Sequence, residues 1–141
     1  MSALGLPSVS VVFQEAAEAA ISPAGGGSVA LVIQDAAITD NAVEVYSSLA
    51  EALAAHDWTD ANEAALTYAF YGRPQSVIAA CIKSDGTLAD GYTLLEVQRF
   101  DVCTVAGLEE ADAAAFVTWA KGAYDDLGKK SLYLVAGATT P

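Results

Sequence analysis

The chain has 141 residues, 54% of them apolar, and its 18 acidic and 6 basic side chains give a formal charge of −12. That length suits one domain with a core of its own, and 30 of the apolar residues are alanine. The longest strongly apolar runs, residues 29–33 and 77–82, fall far short of the roughly 20 residues that cross a bilayer, so membrane insertion is not expected.

Residues 7–13 alternate, with Val9, Val11 and Phe13 separated by Ser10 and Val12, and read as a short N-terminal strand. Residues 14–20 are rich in Ala and Glu but too short to hold a helix alone. Pro23, Gly25, Gly26 and Gly27 then break regular structure and read as a hinge. The division expected is an arm and hinge over residues 1–27 and an α/β domain over residues 28–141.

Behind the hinge, strands and helices alternate. Residues 29–33 form a β-branched apolar run, as in a strand covered on both faces, and residues 43–46 are a weaker strand candidate. Ser48 and Glu51 have the spacing of a capping box that opens a helix to about residue 55. A second helix begins at Asp60 and ends before Gly72 and Pro74, with Leu66, Ala69 and Phe70 on one stripe. Residues 76–82 are a buried strand, residues 88–98 a helix weakened by Gly91, and residues 102–105 a strand. A long helix over residues 109–127 places Phe116, Ala120, Ala123, Tyr124 and Leu127 on one face. Residues 131–135 end the series as a strand. Short spacing between alternating strands and helices predicts a mainly parallel sheet with flanking helices, preceded by an extended N-terminal β-arm.

Charge and cysteines narrow the partners. Residues 1–72 hold nine acidic and no basic residues, whereas residues 73–141 hold nine acidic and all six basic ones. Nucleic acid and anionic membrane are therefore poor partners. Any self-association must overcome charge repulsion through apolar or backbone contacts and should weaken at low salt. Cys81 and Cys103 sit in apolar runs, outside any metal spacing or C-x-x-C motif, and are expected as buried free thiols. A disulfide would require their strands to be neighbours. The opening residues have neither the basic nor the apolar segment of a secretion signal, so a cytosolic origin is the default expectation.

Catalytic patterns fail on context. A phosphate-binding turn follows a strand and opens a helix, but Gly25 to Gly27 precede their strand. Gly128-Lys129-Lys130-Ser131 follows a helix and precedes a strand. His56, the single histidine, follows a short helix and reads as a surface cap; no Ser lies in a G-x-S-x-G elbow. Asp35 could serve as the first carboxylate of a phospho-acceptor site, but no Lys follows the last strand. Trp58, Trp119, Tyr68, Phe70 and Phe116 are spaced as core residues. These readings give no catalytic residues, no cofactor and no metal.

The order and spacing of several segments resemble the N-terminal part of contractile-tail sheath proteins of bacteriophages, of the type found in Gram-positive hosts and their prophages. The segments are Leu4-Gly5-Leu6-Pro7-Ser8-Val9-Ser10-Val11-Val12-Phe13, Gly27-Ser28-Val29-Ala30-Leu31-Val32-Ile33-Gln34-Asp35 and Trp58-Thr59-Asp60-Ala61-Asn62. Two more are Ala69-Phe70-Tyr71-Gly72-Arg73-Pro74-Gln75-Ser76-Val77-Ile78 and Lys129-Lys130-Ser131-Leu132-Tyr133-Leu134-Val135. The resemblance implies a virion subunit that polymerises around a tail tube and contracts to drive it through the host envelope. Its partners would be other sheath subunits, the tube protein and the baseplate.

Extended arms in such proteins add strands to neighbouring subunits. Val9, Val11, Val12 and Phe13 suit that role, with the glycine-rich hinge behind them. Sheath subunits of this family continue into a further C-terminal domain, so the chain is expected to be part of a longer subunit and, alone, monomeric or weakly associated. The competing expectation is a small flavodoxin-like ligand-binding or phosphotransfer domain. A tube or baseplate component would be largely β.

Overall fold

A computed structural model describes residues 27–135. The chain is α/β, with a five-stranded mixed sheet, mostly parallel, flanked by helices. The strands are β1 (Ser28–Asp35), β2 (Ala42–Tyr46), β3 (Ser76–Lys83), β4 (Val102–Val105) and β5 (Leu132–Tyr133). The helices are α1 (Leu49–Ala55), α2 (Asp60–Ala69), α3 (Leu88–Leu95) and α4 (Glu110–Asp125). The expected arm, with Val9, Val11, Val12 and Phe13, and the hinge residues Pro23, Gly25 and Gly26 lie outside the described residues.

The strand order is β2-β3-β1-β4-β5. β1 runs parallel to β3 from Ser28↔Ser76 to Asp35↔Lys83, and parallel to β4 from Val29↔Val102 to Val32↔Val105. β4 and β5 are also parallel. β2 instead pairs antiparallel with β3, from Ala42↔Cys81 to Tyr46↔Val77. The antiparallel edge follows from the short connection between β1 and β2, residues 36–41: a parallel return needs a crossover of about a dozen residues or more.

Alternation along the central strands supplies two cores. Val29, Leu31 and Ile33 of β1 join Val77, Ala79 and Cys81 of β3 on one face, covered by Ala52 of α1, Trp58, and Leu66 and Ala69 of α2. Ala30, Val32, Ile78, Ala80 and Ile82 face the other way, under Tyr92 and Leu95 of α3 and Phe116 of α4. Burying one such large aliphatic or aromatic side chain is worth roughly 1.5–3 kcal/mol, which is why both central strands are continuously apolar. Tyr92, Phe116, Trp119 and Tyr133 pack as one aromatic group, with ring centroids between 5.1 and 6.4 Å apart.

Several local expectations need correction. Ser48 caps α1 by accepting from Glu51 N–H at 3.1 Å, but the Glu51 carboxylate accepts from Ser47 N–H and Oγ, both at 2.7 Å, instead of closing the box on Ser48. The complete capping box belongs to α3, between Thr87 and Asp90. That helix ends at Leu95, short of residue 98. The long helix α4 ends at Asp125, short of residue 127; on it Phe116, Ala120 and Ala123 are buried, whereas Tyr124 and, just beyond it, Leu127 are about half exposed. Gly128, at φ 68°, turns the chain so that Lys129 N–H donates back to Ala123 O at 2.9 Å.

Candidate functional site

In a parallel sheet the place for ligand chemistry is the crevice at the carboxyl ends of the strands where the strand order reverses. Here that point lies between β1 and β4, and Asp35 stands at it. Its carboxylate is only 4% exposed. Oδ1 accepts from Ala37 N–H at 3.0 Å, and Oδ2 accepts from Thr59 N–H, Thr59 Oγ1 and Asn62 Nδ2 at 2.9, 3.0 and 2.7 Å. Burial alone would raise its pKa; the hydrogen bonds from Thr59, Ala37 and Asn62 overcome that and hold it at about 2. A phospho-acceptor needs an accessible carboxylate oxygen, and this one is committed to anchoring the start of α2. Gln34, beside it, donates to the carbonyls of Lys83, Ser84 and Gly86 and fixes the turn after β3.

The more reactive arrangement lies at the other edge. Glu44 in the middle of β2 and Cys81 in β3 face the same side of the sheet, because Ala42 pairs with Cys81 and Glu44 sits two residues on. His56, the residue that ends α1, folds over them. Its Nε2 meets Glu44 Oε2 at 2.5 Å, so it pairs with β2 and does not cap the helix carbonyls as expected. The imidazole stands edge-on to Trp58 at 4.9 Å between centroids, and Trp58 Nε1 donates to Ala52 O at 2.8 Å. One donor atom from each of Glu44, His56 and Cys81 lies within 4.8 Å of the others.

The electrostatics follow from partial burial. Burial tends to raise the Glu44 pKa, but the His56 hydrogen bond, the Cys81 contact and the imidazole charge bring it below the usual carboxylate range. The Cys81 thiol is pushed far up, first by burial and then by the Glu44 carboxylate. Tyr46, on the same face of β2, is pushed up by burial and by Cys81 and Glu44 beside it. Its hydroxyl is buried without a hydrogen-bond partner. Glu44 therefore sits between His56 and Cys81. A nucleophilic triad requires the imidazole between acid and nucleophile, and a thiol held neutral is a poor nucleophile.

The cluster was not legible from spacing, since its members come from an edge strand, a helix end and a central strand. The one signal in the sequence was a charged residue, Glu44, within an otherwise apolar strand. None of the residues expected to link subunits is described, and of the expected hinge residues Gly27 alone is. It is buried, and its carbonyl accepts from Gln75 N–H at 2.8 Å, just ahead of the β1–β3 pairing. Trp58 and Phe116 are core residues as expected, whereas Tyr68 is exposed and stacks on Tyr71 at 6.3 Å. Among the described residues no helix is long and apolar enough to cross a membrane. No family model matches the chain, and no curated protein matches it.

Proposed function

We propose that this chain is an assembly subunit of the contractile tail-sheath kind, which packs against copies of itself around a tail tube. The observation that carries the reading is the β5 edge. Val135 is 38% exposed and Tyr124 of α4 is 45% exposed on one face of that edge, while Leu132, 45% exposed, points to the other face with its register partner Val102. A groove of about 320 Å³ runs between α4 and β5, lined by Val117, Ala120, Tyr124, Tyr133 and Val135, with the charged Lys121 and Asp125 beside them. Exposed apolar side chains along one edge strand of a chain of charge −12 offer a contact that charge alone would oppose.

The edge also has backbone to offer. Leu132 and Leu134 donate to Asp101 O and Cys103 O, both at 2.9 Å. Alternation along the strand turns the backbone groups of Tyr133 the other way, as a strand-adding partner would need. The engaged Asp35 carboxylate argues against the alternative, a flavodoxin-like phosphotransfer domain. Virion localisation and the tube and baseplate as partners belong to the same proposal.

Light scattering and negative-stain electron microscopy across a salt series, with parallel incubation in flavin, nucleotide and acetyl phosphate, test it. Weak association that grows as salt screens the charge, with no stoichiometric ligand, is the expected result. A strict monomer at every salt concentration that retains one of those ligands stoichiometrically would overturn it.

A further inference from the structure

We propose that Glu44, His56 and Cys81 form a binding site for one divalent transition-metal ion of the Zn²⁺ class. The three side chains supply oxygen, nitrogen and sulfur from three separate segments, and their donor atoms already lie within 4.8 Å of one another. A tetrahedral zinc with bonds of about 2.0–2.3 Å holds its ligands roughly 3.5 Å apart, inside the span these donor atoms already occupy. A thiolate and an imidazole with one carboxylate select Zn²⁺ or Co²⁺ over Mg²⁺ or Ca²⁺, which prefer oxygen throughout.

A second observation points the same way. Tyr46 is 3% exposed, its hydroxyl has no hydrogen-bond partner, and its surroundings include Glu44 and Cys81. A buried hydroxyl outside any well-aligned hydrogen bond is costly, and this one lies beside two of the three proposed ligands. The ion has a route in, since the His56 and Glu44 side chains are 23% and 34% exposed. Cys81, at 1% exposure, closes the inner side. The Trp58 contact holds the imidazole in orientation, as outer-shell groups do in metal sites. The bound ion ties the edge strand β2 to β3 and to the connection between α1 and α2.

The test is titration of the full chain, stripped with chelator, with Co²⁺ alone and then with Zn²⁺ or Mg²⁺ as competitor. One equivalent of Co²⁺ should produce a thiolate-to-cobalt charge-transfer band that Zn²⁺ removes and Mg²⁺ does not. Cys81→Ser should abolish the band and Cys103→Ser should keep it. His56→Ala, at a partly exposed position, should weaken Co²⁺ binding by at least about tenfold while leaving the circular dichroism spectrum unchanged. This variant and Glu44→Gln carry the test if Cys81→Ser fails to fold. Absence of the band in the parent chain, its loss on Cys103→Ser, or unchanged affinity in His56→Ala would overturn the proposal. None of these outcomes bears on subunit assembly.

Discussion

Asn62 Nδ2 donates to Asp35 Oδ2 at 2.7 Å, so the first turn of α2 is tied to the carboxyl end of β1. With the Thr59 and Ala37 donors, this makes one carboxylate the junction of three segments. Replacing Asp35 by Ala leaves the partly buried donors of Ala37, Thr59 and Asn62 without their acceptor. Each unsatisfied buried group costs roughly 1–3 kcal/mol, so Asp35→Ala should lower stability by about 3 kcal/mol in urea unfolding, with α2 losing amide-exchange protection first.

The same carboxylate predicts a pH dependence. Its folded pKa of about 2 lies below the ordinary value of 3.8, so its contribution is fully present above 3.8 and is lost as pH falls through the folded value. Glu44 and Glu51 are shifted in the same direction. Urea midpoints should fall steeply between about pH 4 and pH 2, and Asp35→Asn should flatten that fall.

Gly91 breaks the helix pattern of α3 for a packing reason. A Cβ added there would lie 2.6 Å from Val32 Cγ1 and 3.2 Å from Ile82 Cδ1, both on stiff, buried strands. Gly→Ala in a helix interior ordinarily gains about 1 kcal/mol, whereas overpacking a core costs about 1–3 kcal/mol. Gly91→Ala should therefore be neutral to destabilising by up to about 2 kcal/mol, and Gly91→Val clearly worse, as read from thermal unfolding.

Cys81 and Cys103 are both buried and free. Their strands are not neighbours: β3 and β4 flank β1, and the two thiols belong to opposite faces of the sheet. A disulfide between them is sterically excluded. With both thiols pushed up by burial, a thiol reagent should react slowly with the native, chelator-treated chain and promptly with two thiols in denaturant.

The parallel core was legible because Val29 to Ile33 and Val77 to Ile82 are apolar without interruption, and only a strand covered on both faces demands that. The start of α4 was legible from its acidic first turn, Glu110 and Asp112. The antiparallel setting of β2 was not, since nothing in Val43 to Tyr46 distinguishes pairing direction; connection length decides it. Tyr124 and Leu127 have the spacing of core residues, yet are about half exposed. The meeting of Glu44, His56 and Cys81 depends on register between β2 and β3 and on where α1 ends, neither of which a single sequence encodes locally.

The assembly reading is tested most directly by sedimentation equilibrium at raised salt on Leu132→Lys, with Tyr71→Lys as control. Both side chains are substantially exposed, so both variants should fold. Leu132 belongs to the β5 edge, whereas Tyr71 belongs to the turn that follows α2. Self-association that is lost in Leu132→Lys and retained in Tyr71→Lys is the result expected from a subunit contact at β5. Association unchanged by Leu132→Lys would contradict it.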